Sequence, residues 1–453
     1  MLFRSNADPC LRRDVITKAR DKYGEVFTPP ELINELLDNL PKYVWKNSKL
    51  KWLDPCAGRG NFLEQILPKL MDGLAKEISN ERARKNHILK EMITMVELNP
   101  KNVKEIRKKW PIANVIAGNF LDTILIDSRF DVILANPPYQ TAKTEGEYKG
   151  SVGNRTLWDL FLKKAISMGN HIGFITPSNW RRPEHPLYQE VVPKLTYLHI
   201  YSKADGKKWF GEDVQTRFDL YVLNNTPAFI AKPPEYLPML IDDTGTKYKN
   251  IRTKNWPFLP NSHYKEIQSI LVKSGGAEGA GAGIDVVFHS TLYDARKLTS
   301  HKTNRHKYPV IHTITQDGPG IKWANHRDTT QFGVPKVILN ANEKQYPILD
   351  ATGKYGMSQL SFGIPIKSIR QGEQIIKCLN SPEFQEIIAA TKWGSFQTDY
   401  RMFKYFRKDF YLSFVSGSTA DVVVGGSSNQ FEERKDVINP EDDGVSSPTL
   451  RPI

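Results

Sequence analysis

The stretch FDVILANPPY, Phe130 to Tyr139, decides how this chain is read. Val132 to Ala135 is an apolar run of strand length that stops at Asn136-Pro137-Pro138-Tyr139. Neither proline has an N–H to donate, so a sheet ladder cannot run through them. The run is therefore expected as a buried strand. The tetrad becomes a stiff segment at its carboxyl end, where open α/β sheets keep their ligand sites. As local structure alone it is a turn after a strand, for which Asn-Pro is a common dipeptide.

Reading outward from the tetrad, strands alternate with helices. Upstream, KWLDPCAGRGNFLE (Lys51 to Glu64) reads as a strand at Trp52-Leu53, then Asp54-Pro55, then Gly58-Arg59-Gly60, then a helix from about Asn61. Glycines at a strand-to-helix turn let backbone approach a ligand. Ile93 to Glu97 reads as a second strand ending in a carboxylate, a usual partner for a ribose diol. Residues 72 to 91 look like a helical insertion between the two, and Val115 to Ala117 is a third strand followed by Gly118-Asn119-Phe120-Leu121. Before all of these, Leu32, Ile33, Leu36 and Leu37 repeat at helical spacing. Thr28, with Pro29-Pro30 behind it and Glu31 three positions on, is placed to form a capping box for that helix.

Downstream of the tetrad, Thr141 to Asn154 is polar and glycine-containing, the composition of a loop that closes over a substrate. A helix is expected over Leu157 to Met168, with strands at His171 to Thr176, Leu195 to Tyr201 and Arg217 to Leu223. This alternation predicts a doubly wound, largely parallel sheet up to about residue 230. Beyond Pro227 it ceases. Ser274 to Gly283 reads as a glycine-rich link, and from about Ser416 the chain is Ser/Gly-rich and then acidic, the composition of a disordered tail.

The 453 residues carry a net charge of +13, which favours a polyanionic partner, although a lysine-rich surface alone gives the same sum. Cys10, Cys56 and Cys378 are far apart and show no Cys-x-x-Cys spacing, so neither a disulfide framework nor a metal site is expected. No apolar run reaches membrane-spanning length, and MLFRSNADPC lacks the apolar core of a signal peptide.

The chemistry that suits the tetrad is methylation of an exocyclic amine. Such a nitrogen is a poor nucleophile because its lone pair is delocalised into the ring. The Asn136 side-chain oxygen and the Pro137 carbonyl can each accept one N–H, and an amide does so without taking the proton as a base would.

Taken in order, VFTPPELI, LDPCAGRGNF, VELNP, GNFL and ANPPY resemble the motif series of S-adenosylmethionine-dependent adenine-N6 DNA methyltransferases of the γ group, the kind found in restriction–modification systems. The resemblance spans roughly residues 24 to 225. It implies a Rossmann-like α/β methyltransferase domain over residues 1–230, with a seven-stranded sheet whose last strand is antiparallel. A mixed α+β target-recognition domain would follow over 231–413, and a disordered acidic tail over 414–453. Carried onto this chain, it places Thr28 and Pro29 by the methionine part of the cofactor, with Phe27 among the cofactor-binding residues. Asp54, Ala57, Gly58 and Gly60 form the turn around it, Glu97 meets the ribose hydroxyls, and Asn119 and Phe120 meet the cofactor's adenine. Asn136, Pro137, Pro138 and Tyr139 hold the target adenine, with Tyr139 stacked on it. Asn119 departs from the pattern, since the family usually has Asp there. The gap from Gly60 to Glu97 is also longer than usual.

The implied substrate is double-stranded DNA with the target base flipped out. In the second half, Tyr400, Arg401, Lys404 and Tyr405 are the segment expected to face DNA, because aromatics and cations interleave there. His301, His306 and His312 are expected as surface or hydrogen-bonded residues rather than ligands. A monomer is expected, acting in the cytoplasm on DNA, with a nuclear or viral setting compatible and a separate cognate restriction endonuclease as a partner. No nuclease is expected in this chain, since 25 residues precede VFTPP. An RNA adenine-N6 methyltransferase and a protein glutamine methyltransferase remain as alternatives. The basic charge, the Asp-Pro-x-x-Gly-x-Gly turn and the large second half weigh against the glutamine enzyme.

Overall fold

The computed structural model describes residues 26–125, 129–139, 156–211, 214, 216–249, 251–273, 282–341, 346–394 and 398–415. The 141–154 loop, nearly all of the glycine-rich link and nearly all of the tail expected from the sequence lie outside them. The chain divides into two compact units. One comprises Met1–Tyr264, Lys273–Glu278 and Ala390–Phe396. The other comprises Lys265–Val272, Gly279–Ala389 and Gln397–Ile453.

The first unit is built on a nine-stranded sheet in the order β3-β2-β1-β4-β5-β7-β6-β8-β9. Helix α1 (Pro30–Asp38) precedes it, starts on a proline and buries Leu32, Ile33, Leu36 and Leu37. Each such side chain contributes roughly 1.5–3 kcal/mol on leaving water. β1 (Trp52–Asp54) leads into α2 (Asn61–Gly73). The region expected as a helical insertion holds the short helix α3 (Glu81–His87), capped by Asn80, and a turn of π-helix over Ile88–Met92. β2 (Ile93–Glu97), α4 (Pro100–Lys109), β3 (Asn114–Ala117) and β4 (Phe130–Ala135) follow. Next come α5 (Trp158–Met168), β5 (Gly169–Pro177), β6 (Leu195–Tyr201) and β7 (Phe218–Asn224).

β1 lies parallel between β2 and β4, and β7 runs antiparallel between β5 and β6. The seven strands implied by the motif series are thus present, with the antiparallel one last in the chain. Two short strands, β8 (Met239–Ile241) and β9 (Lys247–Tyr248), extend the β6 edge, so the sheet continues past residue 230. β1 and β4 are neighbours from which the strand order runs in opposite directions. Their carboxyl ends are the switch point at which such sheets place ligands.

The second unit is mixed α+β. β10 (Tyr308–Thr315), β11 (Gly318–Ala324) and β14 (Gly356–Met357) form one three-stranded sheet, in the order β11-β10-β14. β12 (Lys336–Asn340), β13 (Ile348–Asp350) and β15 (Ser361–Pro365) form another, in the order β13-β12-β15. Helix α6 (Ile369–Asn380), capped by Ser368, buries Ile375, Ile376 and Leu379. The rings of Phe384, Phe403, Phe406 and Phe410 pack together, with neighbouring centroids 5.4–6.4 Å apart.

Candidate active site at the ends of β1 and β4

Asp54 ends β1 and begins the glycine turn. Its Oδ1 accepts the Cys56 N–H at 3.2 Å, while Oδ2 is buried and has no partner among the described residues. Burial, reinforced by the charge of Glu97 and opposed by the Cys56 N–H, pushes its carboxyl up to about 8. The turn is pinned from outside: Ala57 N–H donates to the Val96 carbonyl at 3.0 Å and Gly58 N–H to Glu97 Oε2 at 2.7 Å. Gly58 and Gly60 have φ of 55° and 86°, a region that side chains with a Cβ rarely adopt. A Cβ at Gly60 would lie 2.5 Å from the Trp110 ring, whereas one at Gly58 would meet only Phe27, at 3.8 Å. Gly60 is thus required by packing. The space at Gly58 is open.

Glu97 is almost fully buried at the end of β2. Its Oε1 accepts the Asn99 N–H at 2.6 Å and the Asn102 amide at 3.5 Å. Asn119 turns inward on its own loop, with Oδ1 accepting the Leu121 N–H at 3.1 Å and Nδ2 donating to Asp122 at 2.7 Å. The Phe120 ring is buried 5.2 Å from Phe161, with Lys164 Nζ 4.6 Å from its centroid. The same ammonium donates to the carbonyls of Phe120, Leu121 and Thr123 at 2.5–3.2 Å and fixes this loop.

Asn136 follows the last residue of β4. Its Nδ2 donates to Thr28 Oγ1 at 3.1 Å, and its carbonyl accepts the Cys56 thiol at 3.5 Å. The capping box expected at Thr28 does not form. The N-cap of α1 is Pro29, whose ring carries no hydrogen-bond acceptor, and the Thr28 hydroxyl serves Asn136 instead. The Thr28 carbonyl accepts from the Asn61 amide at 3.3 Å. The segment before α1, the glycine turn and the tetrad are thereby tied into one constellation. Tyr139 is half-buried and its carbonyl accepts the Leu157 N–H at 3.2 Å. Burial, and secondarily the negative charge of Asp219, hold its hydroxyl well above the usual phenol range.

Sequence reading missed the group below Tyr139. Asp219 in β7 is fully buried and accepts from Ser178 Oγ at 2.8 Å and from Arg181 Nε at 2.7 Å. Arg181, equally buried, also donates to the Leu259 and Pro260 carbonyls and to Asn261 Oδ1 at 2.8–2.9 Å. A signal existed, since a carboxylate inside the apolar run FDLYVL must find a partner. Cys56 fits no disulfide or metal spacing, and its tie to the Asn136 carbonyl exists only in the folded chain. It and Cys378 are free thiols.

The second-unit residues expected to face DNA do not form one exposed surface. Tyr405 is 3% exposed, and its carbonyl accepts the Val272 N–H at 2.9 Å. A ring so buried offers no face to DNA, which corrects that expectation. Tyr400 stacks on Phe288, centroids 4.0 Å apart, Arg401 is held by both oxygens of Asp399 at 2.6–2.8 Å, and Lys404 Nζ lies 5.7 Å from the Tyr400 centroid.

A glycine turn and an Asn-Pro-Pro-Tyr segment thus lie side by side at the switch point of this sheet. Residues 46–210 match the family model of the Eco57I restriction-modification methylases. An 88-residue stretch is 44% identical to an uncharacterized adenine-specific methylase of Mycoplasma pneumoniae, covering 18% of this chain and 21% of that one. A 131-residue stretch is 31% identical to the type II methyltransferase M.VspI of a Vibrio species, covering 26% of each. The chain therefore spans about a quarter or less of the curated relatives it matches. Among solved structures, the type ISP restriction-modification enzyme LlaBIII bound to DNA aligns with a TM-score of 0.46 at 12% identity, over 80% of this chain and 36% of that one.

Proposed function

We propose that this chain methylates the N6 amino group of an adenine, flipped out of duplex DNA at specific sites, using S-adenosylmethionine. The observation that carries the reading is the Asn136 amide. With Nδ2 engaged by Thr28, Oδ1 is the atom left to accept, beside a glycine turn that has an unpartnered buried carboxylate oxygen and open space at Gly58.

Those features suit the cofactor. The partnerless Asp54 Oδ2 would meet its cationic methionine part, near Phe27, Thr28 and Pro29. Ala57, Gly58 and Gly60 would line the turn around it, Glu97 would accept from the ribose hydroxyls, and Asn119 and Phe120 would flank the adenine end. When bound, S-adenosylmethionine supplies an electrophilic methyl group on a sulfonium. Asn136 Oδ1 and the Pro137 carbonyl then accept the two N–H groups of the target amine and draw its nitrogen toward tetrahedral geometry. Pro138 keeps the segment rigid, and Tyr139 stacks on the base. Hydrogen bonds made chiefly in the transition state lower the barrier more than they tighten binding. The second unit would supply target recognition, within residues 231–413.

The test is methylation-sensitive sequencing of DNA from cells expressing the chain or its Asn136→Ala variant. N6-methyladenine at one recurring motif, absent with the variant, supports the reading. Methyl transfer to RNA or to protein, with none to DNA, refutes it.

A further inference from the structure

We propose that the open end of the β10–β11 hairpin, with the loop leading into it, holds the phosphates of duplex DNA. This rests on the DNA reading above and adds the surface that grips the duplex. Residues 296–327 carry seven lysines and arginines against one acid, Asp317, which lies at the hairpin turn, away from the open end. A short segment thus holds nearly half of the chain's net charge of +13. Arg296 is taken by both oxygens of Asp294. Lys302, Arg305, Lys307, Lys322 and Arg327 form no ion pair with any described residue.

The fold gathers these cations. Thr299 and Trp323 exchange both backbone hydrogen bonds, at 2.9 and 3.1 Å, which lays the incoming loop along β11. Trp323 faces Pro309 across the hairpin, and Tyr308 faces Ala324. Lys302 Nζ lies 5.7 Å from the Trp323 centroid and Lys307 Nζ 5.6 Å from that of Tyr308. Tyr308 meets Phe332 edge-on at 6.1 Å, and Arg327 lies 6.0 Å over Phe332. Beneath them Tyr293, Val310, Ala324 and Phe332 form a buried cluster. Cations propped on rings over a packed base stay aimed at solvent with part of their rotamer freedom already lost. Like charges gathered this way repel one another, and an extended polyanion relieves that repulsion by displacing counterions.

The experiment measures binding of a labelled DNA duplex to the full chain across a salt series. It compares wild type, the triple variant Lys302→Ala/Arg305→Ala/Lys307→Ala, and a control with the same charge change on exposed α4 residues, Lys101→Ala/Lys104→Ala/Lys108→Ala. Each phosphate contact adds about 0.9 to the slope of log affinity against log salt, so the hairpin triple should flatten it by roughly two to three and weaken low-salt binding by at least about tenfold. The control should stay close to wild type, and melting temperatures should match. If the hairpin triple melts early, the single change Arg305→Glu on the exposed loop repeats the measurement. Equal losses in both triples, or none in the hairpin variants, overturn the surface. A wild-type chain that binds no duplex while methylating RNA overturns the DNA reading itself.

Discussion

Asn136 and Tyr405 were both singled out from sequence as polar residues beside aromatic or proline neighbours, and the structure separates them. Asn136 follows a buried strand at a switch point and keeps a side-chain oxygen directed away from Thr28, which its amide nitrogen engages. Tyr405 sits in a 3-10 turn whose neighbours Met402, Phe403 and Phe406 are all buried. The difference lies in what specified each position. Two prolines after an apolar strand fix backbone direction by covalent geometry, which is local and readable. Alternating aromatics and cations fix nothing until packing decides which face turns inward.

The sharpest way to break this contrast is Tyr405→Ala. A buried ring removed from a packed cluster typically costs roughly 3–5 kcal/mol, so the second unit should unfold at markedly lower denaturant. Lys404→Ala, one residue away, should leave stability within about 0.5 kcal/mol, as surface changes usually do. If the two variants denature alike, Tyr405 is not the core residue described here.

Asn136→Ala probes the other side of the comparison. Losing a well-placed acceptor should slow single-turnover methyl transfer by about 10²–10³, while cofactor affinity by calorimetry and the denaturation curve stay as in wild type. Wild-type transfer by this variant would remove the catalytic assignment.

The fold was legible wherever short-range pattern sufficed. Apolar runs ending at Glu97, Ala135 and Leu223 marked strands, and Gly58 and Gly60 marked the turn. What escaped depends on partners far along the chain: Thr28 with Asn136, Cys56 with Asn136, and Arg181 with Asp219, the Leu259 and Pro260 carbonyls and the Asn261 side chain. Thr28 shows the mechanism of the error. Its local context offered a helix cap, yet a proline occupies the cap position and a more distant amide claimed the hydroxyl. Likewise β8 and β9 join the sheet only through β6, and two or three residues carry no periodicity of their own.

Asp54 gives a graded effect. Its carboxyl, raised to about 8, holds a proton in the folded chain that the unfolded chain has released above about pH 4. The folded state then binds more protons across that window, so this group makes stability fall as pH rises from about 4 to about 8, by up to about 1.4 kcal/mol per unit. Asp54→Asn should flatten that part of the profile in chemical denaturation without cofactor. An unchanged profile would mean that Asp54 is ionised, with an unseen partner at Oδ2.

The smallest expected effect tests the contact that sequence misread. Nδ2 of Asn136 donates to the Thr28 hydroxyl, and that bond leaves Oδ1 as the free acceptor. Thr28→Val keeps the volume and removes the acceptor. The amide can then rotate, and the orientations that present NH2 to the target amine are unproductive. A neutral hydrogen bond of this kind contributes about 0.5–1.5 kcal/mol, so turnover should drop by up to about tenfold while cofactor affinity changes little. Thr28→Ser restores the hydroxyl and should recover most of the rate. The Thr28 carbonyl still accepts from Asn61 in both variants, so the backbone tie to α2 is unchanged. A purely structural role would predict equal stability losses and no rescue by serine. A loss confined to cofactor affinity would mean that Thr28 serves the cofactor alone and that Asn136 is oriented by the proline backbone.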